Sequence, residues 1–181
     1  MATAGLRKIS TAVLIVLVAC GCSMSSSKKS ESGPTYQQAM EALYPDVLSA
    51  MRATMPGVRP DEYSGGTENC GGSEWLDSKD ASKRTISSYI SLPGAPSDKR
   101  TPASLVDGVL QQLRVHGWTE DTHRPSNVPG NEVTKYAKKQ GGNGIVVISA
   151  SPFKTASGDR IQTLVAQVVT DCLRNPDYNK S

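Results

Sequence analysis

Hydrophobic and polar positions divide this chain into blocks, each with its own period. Residues 12–18 form an unbroken apolar run behind Arg7 and Lys8, whereas residues 21–34 are Ser, Lys and Gly with almost no apolar side chain. From Tyr36 onward, Met40, Leu43, Tyr44, Val47, Leu48, Met51 and Met55 recur at three- and four-residue steps, the spacing of a helix with one buried face. Pro45 interrupts the stripe, so a kink or a fresh start is expected there, and Pro56-Gly57 ends it. Residues 59–82 are rich in Gly, Ser, Asp and Glu and carry Cys70, Trp75 and Leu76. They read as an irregular loop or short strand pinned at Cys70. Ile86, Ile90 and Leu92 share one phase, which predicts a half-buried strand over residues 87–92, closed by Pro93-Gly94 and Pro96.

Thr101-Pro102 is a helix start, a hydroxyl cap followed by proline at the first helical position. Leu105, Val106, Val109, Leu110 and Leu113 make its apolar stripe, and His116-Gly117 its end, with Gly117 as C-terminal cap. Gly108 inside that helix costs about 1 kcal/mol relative to Ala, which close packing against a neighbour would explain. Three strand-like segments follow, residues 132–139, 144–153 and 160–173, joined by short turn-rich connections that predict an antiparallel meander. Ile145-Val146-Val147-Ile148 is apolar on both faces and belongs to a central strand, while Lys135, Lys138 and Lys139 mark the first segment as a guarded edge. The expected fold is α+β, a two-layer sandwich with two helices on one face of a mostly antiparallel sheet of about four strands. Strand order is not readable from these patterns.

The apolar run gains meaning from its end, Leu17-Val18-Ala19-Cys20. A basic start, an apolar stretch and a small residue before the cut make an export signal, and a cysteine at the cut has the thiolate to accept a diacylglyceryl group. The stretch from Ile9 to Val18 is about half of the roughly 20 residues that span a bilayer, which argues against an uncleaved membrane helix. Cys20 is therefore the expected lipidation site. Cys22 lacks the large aliphatic residue that Leu17 supplies. The expected organisation is a signal over residues 1–19, a tether over 20–34 and one globular domain over 35–181, held to the outer side of the cell membrane by its lipid.

Composition narrows the partners. Aromatic content is 5% and hydrophobic content 37%, which suits a single domain with polar loops. The formal charge of +3 becomes +1 when Arg7 and Lys8 leave with the signal, so no nucleic-acid surface is expected. Two of the four cysteines sit at the processing site. The others, Cys70 and Cys172, are an even pair outside the cytoplasm and read as a disulfide. A zinc site would need about four ligands, and His116 and His123 show no metal-ligand spacing with either cysteine. Gly141-Gly142-Asn143-Gly144 lies between two strands, with no helix behind it to receive a phosphate, and reads as a turn. Asp61-Glu62 and Glu120-Asp121 are neighbouring carboxylates in polar stretches, where solvation accounts for them. No metal, cofactor or catalytic residue is expected, and the chain reads as a non-enzyme.

The lipobox, the helix exit Met51-Arg52-Ala53-Thr54-Met55-Pro56-Gly57, Cys70 soon after it and a closing Thr170-Asp171-Cys172 resemble the small LppA-type lipoproteins of mycobacteria and related actinobacteria. The chain departs from that layout in ending soon after Cys172. The resemblance implies an envelope location and a cysteine pair, and it implies no catalytic residue. The leading expectation is a protein that binds another protein or envelope component through an exposed sheet face or loops. Its rival is a carrier of a small apolar ligand lined by Met40, Met51 and Met55, which requires a cavity of about 300 Å³ or more. A hydrolase using Cys70 or a serine would need His116 or His123 within about 3 Å of it.

Overall fold

A computed structural model describes residues 33–71, 80–124 and 132–178. Cys20, Cys22, Lys28 and Lys29, the signal and nearly all of the tether lie outside the described residues, as do Trp75 and Leu76. Thr35 opens helix α1 (Tyr36–Thr54) with a capping box. Gln38 N donates to Thr35 Oγ1 at 3.2 Å, and Thr35 N donates to Gln38 Oε1 at 3.0 Å. The helix runs through Pro45 rather than restarting there. Proline removes the bond to the carbonyl of Glu41, four residues back, and both residues sit on the exposed side, where water can take that carbonyl. At the other end Arg100 Nη1 donates to Thr54 O at 2.6 Å and ties off a terminal carbonyl.

Strands β1 (Asp61–Gly71) and β2 (Asp80–Pro93) follow, then helix α2 (Pro102–Val115), β3 (Trp118–Glu120), β4 (Val133–Lys139), β5 (Gly144–Lys154), β6 (Arg160–Thr170) and β7 (Leu173–Arg174). Thr101 caps α2, with Ser104 N donating to its hydroxyl at 3.2 Å, and Gly117 at φ +79° ends it as expected. The sheet has seven strands in the order β1-β2-β6-β5-β4-β3, with β7 beside β2, and every pairing within it is antiparallel. The α+β layering is as expected; the strand count is not. The excess lies where the sequence pattern is weak: the polar stretch 61–71 is a full edge strand, β2 is longer than residues 87–92, and β3 and β7 are too short to show a period. The meander β4-β5-β6 is present, and β5 is internal.

Helix α1 packs over β2 and β6, and α2 over β3, β4 and β5. Leu43, Val47, Met51 and Met55 from α1 and Leu105, Val106, Val109 and Leu113 from α2 close on Ile90, Leu92, Val146, Ile148, Leu164 and Val168. The helices come closest at Gly108, where a Cβ would lie 3.1 Å from Thr54 Cγ2. That is the packing reason for a glycine in mid-helix.

Two expectations are corrected here. The outer position beside the C-terminal half of β4 is taken by β3, and the lysines are not edge guards alone. Lys135 and Lys139 alternate with buried Ala137, so they point to the helix layer and reach acidic side chains there. Cys172 was expected to share the buried phase of Leu164, Ala166 and Val168, but β6 ends at Thr170 and Cys172 is exposed. Ladder pairing stops because the Thr170 side chain takes it over: its Oγ1 accepts from Ile86 N at 3.0 Å, while Thr85 Oγ1 donates to Thr170 O at 2.7 Å. The chain then turns a corner to place β7 against Lys83 and Arg84 of β2. Cys172 sits in that corner, bonded to Cys70 with a Cα–Cα distance of 5.7 Å.

Candidate functional site

The helices cover one face of the sheet, and the sheet is wider than the helix pair. Both facts create surfaces. On the helix side, β1 and the outer part of β2 extend past α1, so the flank of α1 and the exposed floor of β2 form a groove of about 470 Å³. Gln37, Met40, Glu41, Tyr44 and Pro45 make its helical wall, a stripe adjacent to the core stripe, while Ile86 and Ser88, two apart on one strand face, make its floor. Glu62 of β1 closes one end. It accepts a short hydrogen bond from the Tyr44 hydroxyl and lies 3.5 Å from Arg52 Nη2. Burial of the Tyr44 ring, followed by the hydrogen bond and negative charge of Glu62, pushes that phenol well above its ordinary pKa. Met40 lines the groove as expected, but Met51 and Met55 do not: they are 0% and 1% exposed in the core.

The opposite sheet face is crossed by one continuous row. Strand register aligns Tyr63, Tyr89, Gln167, Val147 and Tyr136 across β1, β2, β6, β5 and β4. Tyr63 and Tyr89 stack with ring centroids 5.1 Å apart and planes at 8°, and Gln167 Nε2 donates to the Tyr89 hydroxyl at 2.7 Å. Arg124 caps the far end, its guanidinium 5.6 Å from the centre of the Tyr136 ring. Ser91, Val165 and Ser149 flank the row on one side and Ser87, Val169 and Ile145 on the other. The pattern has the tyrosine enrichment of protein interfaces.

A third cluster went unread in the sequence because its members are far apart along the chain. Asp46 Oδ2 accepts from Trp118 Nε1 at 3.1 Å and from Lys139 Nζ at 2.7 Å, and Oδ1 lies 3.6 Å from His116 Nδ1. Burial acts to raise the Asp46 pKa, but hydrogen bonds from Lys139 and Trp118 and the charges of Lys139 and His116 outweigh it and hold the carboxyl below its usual range. The arrangement ties α1 to the end of α2 and to two strands. Nothing in it supplies a nucleophile, and the alternation of Lys139 with Ala137 was the one local hint that the lysine faces inward. His116 keeps its expected place as the cap residue of α2.

Of the other expected residues, Cys70 and Cys172 are brought together as a disulfide, which removes Cys70 as a thiolate nucleophile. His123 stands in a turn where its backbone N donates to Asp121 Oδ1 at 3.1 Å. Among the described residues no group of His, Cys, Asp and Glu is placed to hold a metal ion, and no helix is long and apolar enough to cross a membrane. Comparison with family models, with curated proteins and with solved structures finds no match to this chain.

Proposed function

We propose that the chain is a lipid-anchored envelope protein that acts by binding rather than by catalysis, and that the row Tyr63-Tyr89-Gln167-Val147-Tyr136 docks another protein of the envelope. The observation that carries this reading is the row itself. A sheet face bearing three tyrosines and β-branched side chains, left bare by both helices, offers rigid aromatic area at little entropic cost on binding. The processing box at Cys20, the near-neutral mature charge and the likeness to LppA-type lipoproteins support the envelope setting. A photo-crosslinking side chain placed at Tyr63 in the full exported chain should yield a discrete adduct that disappears when Tyr89→Ser is added. The same probe at Gln111, on the exposed side of α2, should yield none. Equal labelling at both positions would refute the reading.

A second reading, carriage of a small apolar ligand, is favoured by one specific observation. The α1–β2 groove, at about 470 Å³, is within the range of about 300–1,000 Å³ that small-molecule sites occupy.

A further inference from the structure

The groove holds a polar atom that the fold leaves unused. Gln37 stands on its wall, and the side-chain Oε1 is enclosed with no hydrogen-bond partner among the described residues. Other acceptors at the site are engaged, since the Tyr44 hydroxyl and Glu62 hold each other. An enclosed carbonyl oxygen can only accept, so the missing partner is a donor. Charge narrows the choice further. The one ionisable group of the lining besides the Tyr44 phenol is Glu41, Glu62 stands behind Tyr44, and no lysine or arginine lines the groove, so an anionic head would meet like charge without a counterion. Met40, Pro45 and Ile86 supply apolar walls along the rest.

We propose that this groove binds a neutral single-chain amphiphile, with its alkyl chain against Met40, Pro45 and Ile86 and a head-group hydroxyl or amide N–H donating to Gln37 Oε1. The proposal rests on the carrier reading above and names its ligand class. The position in the chain suits a ligand drawn from a lipid surface. Helix α1 begins at Tyr36, and the residues between Cys20 and Thr35 span at most roughly 50 Å even when fully extended.

The test uses the full chain carrying Cys20→Ala in detergent-free buffer, with Nile red as a neutral reporter and decanol, decyl methyl ether and decanoate as competitors. Decanol should displace the reporter, the ether should be about tenfold weaker because it cannot donate, and decanoate should be weaker than decanol. Gln37→Leu should abolish the difference between alcohol and ether. Ser88→Trp, which fills the floor, should remove binding while the melting temperature holds; if that variant does not fold, Pro45→Trp narrows the groove from the exposed helical wall. Equal binding of alcohol and ether, or tightest binding of decanoate, lost again on filling the groove, would overturn the ligand class and leave the carrier reading standing. Failure of every competitor to displace the reporter, or displacement indifferent to both filling variants, would overturn both.

Discussion

Cutting the bond between Cys70 and Cys172 should bring this domain close to unfolding. Cys70 is the penultimate residue of β1, an edge strand whose side chains are mostly exposed and whose ladder is broken by register shifts between Ser64 and Gly66 and between Asn69 and Gly71. Cys172 lies in the corner between β6 and β7. The bond closes a loop with a sequence separation of 102. For a loop of about 100 residues the chain-entropy estimate is about 4.7 kcal/mol, acting on the unfolded state and therefore independent of how well β1 packs. At roughly 2–4 °C per kcal/mol for a domain of this size, the expected fall in melting temperature is about 10–15 °C. The assay is thermal denaturation of the oxidised chain, the reduced chain and Cys172→Ser, with limited proteolysis to follow β1. Reduced and Cys172→Ser proteins should melt together, well below the oxidised one, with first cleavage near β1. A shift of less than about 2 °C would refute the loop-closure argument, and two titratable thiols in the natively exported protein would refute the bond.

Cys20→Ala should release the protein from membranes or leave it unprocessed, since two acyl chains at about 0.8 kcal/mol per buried CH₂ supply stable anchoring; fractionation after export checks it. Asp46→Asn should destabilise the domain by about 1–3 kcal/mol at neutral pH, through weakened bonds to Lys139 and Trp118, as read by denaturant titration. Because the folded state holds the Asp46 pKa below its ordinary 3.8, its contribution is present above that value and lost as pH falls through the lower folded one, so the gap to Asp46→Asn should close in acid and stay constant from about pH 5 to 7. Gly108→Leu should cost about 1–3 kcal/mol by forcing the helices apart at Thr54, measured the same way, with Thr54→Ala recovering part of the loss.

Much of the helical layer is local information. Thr101-Pro102 and Gly117 bound α2 because a hydroxyl cap, a pre-set φ and a left-handed glycine each act within one turn, and the apolar stripes of both helices follow from the helical period. The cysteine pairing is equally legible, because two cysteines left over outside the cytoplasm have one simple partner each. Tertiary structure decided the rest. Residues 61–71 have no alternation to read because an edge strand exposed on both faces needs none; it is a strand because β2 offers it a ladder. Pro45 sits in an unbroken helix only because the carbonyl it strips faces water, which depends on where the core lies. Asp46, His116, Trp118 and Lys139 meet, and Tyr63 lines up with Tyr136, only once β6 is inserted between β2 and β5. The groove has the same origin: its wall and its floor are each ordinary in sequence, and a cavity appears only because the sheet is wider than the two helices that cover it.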